Sequence, residues 1–115
     1  MKIDLEQARI FVRPGATDMR KHINGLAAIV EGTMQQSPLG GNLFLFANKQ
    51  RTTLKAIYWD RNGFCLWLKR LEKDRFPWPN DETAAREITR EEVSLLMRGI
   101  DFWHEHKELS YKTVL

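Results

Sequence analysis

The chain predicts an α+β domain, a four-stranded, mainly antiparallel sheet with two helices packed on it, in the order strand, helix, three-strand meander, helix. Three observations carry this. Residues 42–79 alternate apolar runs with turn signals, and the last two runs meet at Asp60-Arg61-Asn62-Gly63. Asn-Gly between apolar runs is the strongest short hairpin signal a sequence offers. Residues 19–34 repeat apolar side chains at helical spacing, and Thr89-Arg90-Glu91-Glu92 has the form of a capping box that opens a second helix. At 115 residues, 43% of them apolar, the chain is one domain of 1–115 with the material for a core. That core spans about 9–103, followed by a tail at 104–115.

The first strand is expected over 6–12, with Ile10, Phe11 and Val12 as its apolar centre, and Pro14-Gly15 ends it. Thr17 or Asp18 is then placed to cap the first helix with a side-chain oxygen. Met19, Ile23, Leu26, Ala27, Val30 and Met34 form its apolar stripe. Gly25 lies beside that stripe, where it permits a close approach to the sheet, and 37–41 breaks the chain. Strands follow over 42–47, 53–59 and 64–71. The first of them is continuously apolar, and the other two carry apolar side chains on both faces. Either both faces are covered, or one displays aromatics for binding. The second helix presents Val93, Leu96, Met97, Ile100 and Trp103, and Tyr111, Val114 and Leu115 are left to dock elsewhere.

The net charge is +3, but its distribution says more. Residues 49–75 hold eight Lys or Arg against three acids, while residues 80–115 hold five against eight. A basic middle favours a polyanion partner, and an acidic end favours a basic protein partner. The alternative is that the acidic C-terminal helix lies across the basic sheet and neutralises it. The N-terminus carries Lys2, Asp4, Glu6 and Arg9 where a signal peptide needs an apolar run, and no stretch approaches the ~20 apolar residues of a membrane span. A cytoplasmic protein with no membrane partner is expected.

Chemistry finds little support. Cys65 is alone, mid-strand, and reads as a small buried hydrophobe. His104 and His106 are two residues apart, on opposite sides of a helix, so no metal site is expected. Ser37, Ser94 and Ser110 lack a nucleophile signature. Pro14 to Thr17 links a strand to a helix but has too few glycines for a phosphate loop. Asp4, Asp18, Asp60 and Asp74 are the acids that a two-metal nuclease would draw on, yet Asp18 and Asp60 already read as a helix start and a turn. No catalytic residue and no cofactor is assigned.

Nucleic-acid binding remains. The candidate contacts are Arg20, Lys21, Lys55, Arg61, Lys69, Arg70, Lys73 and Arg75, with Trp59 and Trp67 as stacking or core residues. Arg20 and Lys21 are expected in the first helical turn, where the helix dipole disfavours cations, a placement that a bound phosphate would explain.

These residues also fall into an ordered set of motifs. Pro14-Gly15-x-Thr17-Asp18-Met19-Arg20 comes first, then Gly25-Leu26-Ala27 and Leu43-Phe44-x-Phe46. Lys55-x-Ile57-x-Trp59-Asp60-x-Asn62-Gly63-Phe64-x-Leu66 follows, then Lys69-Arg70-Leu71-Glu72 and Phe76-x-Trp78-Pro79. In that order and spacing, over about 9–103, the chain resembles the TnpB accessory proteins, the second open reading frame products of the insertion sequence sixty-six family of bacterial transposable elements. Asp74 departs from the family, which usually has Gly there. The resemblance implies a role in transposition beside a separate, larger transposase, and no strand cleavage by this chain. Its implied partners are element-end DNA, the transposase and other element-encoded proteins, with homo-oligomerisation left open. The leading expectation is a non-catalytic factor that binds element DNA or assembles the transposase complex. A module that binds the transposase without touching DNA is the alternative, and a small metal-dependent nuclease ranks third.

Overall fold

A computed structural model describes residues 7–80 and 85–103. The expectations for His104, Glu105, His106, Tyr111, Val114 and Leu115, and for the chain before residue 7, lie outside the described residues. The described chain is α+β with a five-stranded mixed sheet. In sequence order the elements are β1 (Ile10–Val12), α1 (Ile23–Gly32), β2 (Leu43–Ala47), β3 (Thr53–Asp60), β4 (Gly63–Arg70), β5 (Arg86–Ile88) and α2 (Arg90–Met97). The strand order across the sheet is β4-β3-β2-β1-β5.

The sheet therefore has one strand more than the four expected. β5 pairs antiparallel with β1, Phe11 opposite Glu87. Three residues, Arg86-Glu87-Ile88, are too short to show an alternating pattern, and the strand exists because β1 offers a free edge to pair with. A bidentate ion pair fastens it, with Arg9 Nε and Nη2 donating to Glu87 at 3.0 and 2.7 Å. β1 and β2 are parallel, Ile10 opposite Leu43, because α1 carries the chain back to the same end before β2 begins. The β2–β3–β4 meander is antiparallel, as expected.

Both faces of the sheet are covered over its centre. On one face Leu26 and Val30 of α1 pack with Phe11, Phe44, Phe46 and Ile57. On the other, Val93 and Leu96 of α2 pack with Ile10, Val12, Leu43, Leu45, Leu54, Ala56, Phe76 and Trp78. Alternate residues of β1, β2 and β3 thus feed opposite layers, and β2, buried at all five positions, needs no polar residue.

The two helices differ from expectation at their ends. α1 starts at Ile23, and neither Thr17 nor Asp18 caps it. Thr17 is buried, its Oγ1 accepting from Arg13 Nη1 at 3.0 Å. Asp18 Oδ1 accepts from the Arg20 backbone N–H at 2.9 Å, closing a side-chain turn that competes with helix. Gly25 does not serve approach to the sheet. A Cβ there would meet the Lys21 side chain at 3.1 Å. α2 begins with the expected capping box, Thr89 Oγ1 accepting from Glu92 N and Glu92 Oε1 accepting from Thr89 N. It stops at Met97 and does not run on to Trp103, because Gly99 takes φ +75° and folds the backbone back. The N–H groups of Gly99 and Ile100 then satisfy the carbonyls of Leu96 and Leu95.

Candidate nucleic-acid interface

Three segments far apart in sequence meet at one end of the sheet, where β1 and β2 both finish. They are the 13–22 connection after β1, the 48–52 turn after β2 and the 71–80 exit after β4. Parallel strands place their carboxyl ends side by side, and such ends are where open α/β sheets collect functional loops. Backbone bonds lock the assembly. Thr17 N donates to Ala47 O at 2.8 Å, Gly15 N to Pro79 O at 2.8 Å, Leu71 N to Thr52 O at 2.7 Å and Phe76 N to Arg51 O at 2.7 Å.

Three side chains complete the lock. Trp78, only 5% exposed, donates its indole N–H to Arg13 O at 2.8 Å. Arg51 sends Nη1 to Trp78 O at 3.1 Å while its own backbone sits at φ +63°, a left-handed conformation that costs a non-glycine residue about 1 kcal/mol. Asn48 Oδ1 accepts from the N–H groups of Thr52 and Thr53 and so closes the turn that holds Arg51 there. Arg13, Thr17, Arg51 and Trp78 were not among the sequence candidates. The Pro14-to-Arg20 and Phe76-to-Pro79 motifs contained two of them, Thr17 and Trp78, but nothing in the sequence singles out Arg13 or Arg51.

The candidate residues separate into groups. Lys73 and Arg75 are exposed in a loop whose two ends are bonded to Thr52 and Arg51, which sets them beside exposed Lys49 on the neighbouring turn. Arg70, at the last position of β4, shares this end and pairs with Glu72 at 3.0 Å. Arg20 and Lys21 are exposed in the 13–22 connection, not in the first helical turn where they were expected. The Arg20 guanidinium grips Asp18 with Nη2–Oδ2 at 2.6 Å. Those hydrogen bonds hold the Asp18 carboxyl down to about 2 from its ordinary 3.8.

Lys55 does not stand on a surface. It is 3% exposed, and its ammonium donates to the carbonyls of Met19 and Lys21 at 2.8 Å each, with His22 Nδ1 at 3.5 Å. A strand lysine faces whatever covers its side of the sheet, and here that is the chain entering α1. Lys69 reaches the α2 face and donates to Met97 O at 3.1 Å, a cation at a helix C-terminus where the dipole favours it. Arg61 is the first loop residue of the β3–β4 hairpin, with φ +56°, and lies at the opposite end of the sheet. Eight residues of β4 at about 3.4 Å each put it about 27 Å from Arg70. Trp67 packs against the core beneath α2, and Trp59 meets Phe64 edge-on at 5.0 Å near the hairpin. Neither tryptophan belongs to the basic end. Among the described residues no three His, Cys, Asp or Glu side chains group as metal ligands, and no helix is long and apolar enough to cross a membrane.

The arrangement therefore offers exposed cations on a rigid frame, the geometry that suits a run of phosphates. The chain matches the family model described as IS66 Orf2 like protein over residues 8–107. It is 39% identical over 99 residues to the uncharacterized protein y4hO of Sinorhizobium fredii, an alignment that covers 86% of each chain. It is 37% identical over 94 residues to the uncharacterized protein y4jC of the same organism, covering 82% of this chain and 80% of that one. No solved structure matches it.

Proposed function

This chain belongs to the IS66 Orf2-like protein family, and on that premise we propose that it is a non-catalytic accessory factor of transposition that holds element-end DNA on the basic end of its sheet. One observation supports the DNA-binding part. Exposed Lys49, Lys73 and Arg75 come from different turns that backbone bonds tie together, and no ion pair occupies them among the described residues. Cations held this way neutralise phosphates without having to be ordered first. Arg70 and Arg20, already paired with Glu72 and Asp18, contribute less. Lys55 and Lys69 serve the fold and are withdrawn from the DNA-contacting set.

The test is fluorescence anisotropy of the full chain with labelled element-end DNA and with a scrambled duplex, at two salt concentrations. Binding that prefers the ends and weakens steeply with salt is expected. The Lys49→Ala, Lys73→Ala, Arg75→Ala triple variant should lower the salt slope by about 2.7, at about 0.9 per lost phosphate contact. Unchanged affinity and slope in a folded triple variant would overturn the assignment of these residues. No binding at low salt would overturn DNA holding altogether and leave the transposase itself as the partner.

A further inference from the structure

The two edges of the sheet are built differently. β5 closes one side with three residues, two of them charged, and Arg9 clamps Glu87. β4 closes the other with eight residues, Gly63–Arg70, that contain no proline and no charge until Lys69. Soluble proteins blunt exposed edges with short strands, charges or prolines, because an open row of N–H and C=O groups recruits another strand. β4 carries none of these devices over its first six residues.

The register shows which groups are open. Asp60 is opposite Gly63, and Leu71 N bonds to Thr52 O across the same ladder. In an antiparallel pair, bonding residues alternate. Gly63, Cys65, Trp67 and Lys69 therefore turn their backbone groups to β3, and Phe64, Leu66, Leu68 and Arg70 turn theirs outward. Those same four residues put their side chains on the α1 face, where α1 covers the sheet incompletely. Leu68 stays 54% exposed, and Phe64 and Leu66 are only half-buried.

We propose that this edge is a self-association surface, with β4 pairing antiparallel to β4 of a second copy and joining two five-stranded sheets across a two-fold axis. A second copy fits for a reason of charge. Pairing centred on Leu66 sets Phe64 opposite the other copy's Leu68, so the middle of the seam is apolar. In the same register Lys69 of each copy lies opposite Gly63 of the other, and Arg70 opposite Asn62, with Asp60 one strand away beside Gly63. The strand's two cations therefore face uncharged residues at the ends of the seam, and no like charges face one another along β4. An isologous contact of this kind closes at two copies. The outcome is read without DNA, so it stands or falls independently of the DNA-binding reading.

Sedimentation equilibrium of the full chain, from about 1 to 300 μM, is the test. The mass should rise from 13.5 kDa toward twice that value. Leu68→Pro removes an outward N–H and leaves the β3 ladder intact, since proline is tolerated where a strand's N–H faces solvent. Leu68→Lys keeps the backbone and puts a charge on the seam. Each should raise the dimer dissociation constant by at least about tenfold, with circular dichroism and melting temperature unchanged. If the proline variant fails to fold, the lysine variant decides alone. A chain that remains at 13.5 kDa throughout, or a dimer that folded variants leave intact, overturns the proposal.

Discussion

Replacing Lys55 by methionine separates a structural lysine from a DNA-contacting one. The substitution keeps the aliphatic stem and removes the ammonium from the carbonyls of Met19 and Lys21, each 2.8 Å away. A hydrogen bond to a charged group contributes about 1.5–3 kcal/mol. Two are lost, and part of that loss is returned because an ammonium no longer has to be desolvated in a site that is 3% exposed. The net cost is about 2–4 kcal/mol. For 115 residues the unfolding entropy is about 0.24 kcal/mol/K, so each kcal/mol moves the midpoint by about 4 °C. Thermal unfolding followed by circular dichroism should therefore show Lys55→Met melting about 8–16 °C below the wild type. Lys73→Ala, a change at an exposed loop residue, should stay within about 2 °C. A Lys55→Met variant that melts with the wild type while losing DNA affinity would refute the reasoning and place the ammonium on the binding surface.

Two further outcomes follow from local bonds. The Asp18 carboxyl, held at about 2 by the hydrogen bonds of Arg20, should titrate with that midpoint in carboxyl-detected NMR and climb toward 3.8 in Arg20→Ala. Because its folded value lies below the ordinary one, the stabilisation it gives the 18–20 turn is complete above pH 4 and lost as pH falls through about 2. A wild-type midpoint near 4 would mean that the Arg20 contact does not persist in solution. Thr89→Ala deletes the bond from Glu92 N to Thr89 Oγ1, which should cost about 1 kcal/mol, or about 4 °C in melting temperature, with Thr89→Ser close to wild type. A fall no larger in Thr89→Ala than in Thr89→Ser would show that the cap contributes nothing.

The assignment of roles changes how the basic segment is understood. Its eight cations look like one stripe in sequence, yet they divide among an interior bond, a helix terminus, a hairpin tip and the basic end. Charge density along a chain measures what is available for a polyanion. Only the sheet register and the crossover decide which charges share a surface.

Elements whose signals are local can be read along the chain. The hairpin at Asp60 to Gly63, the continuously apolar β2, the Thr89 capping box and the stripe on α1 each depend on residues within a few positions of one another. Its ordered motifs also carried the family. Tertiary structure alone decided what depends on distant partners. β5 exists because β1 has an unpaired side, and α1 starts late because Asp18 and Lys55 hold the preceding turn in another shape. Arg51 acquires its task only when the 76–78 segment returns to it. A three-residue strand, a left-handed arginine and an inward lysine leave no periodic trace. The strand and the lysine are fixed by contacts 34 or more residues away, and the arginine gains its bond to Trp78 from 27 residues away, distances that a window along the chain cannot see.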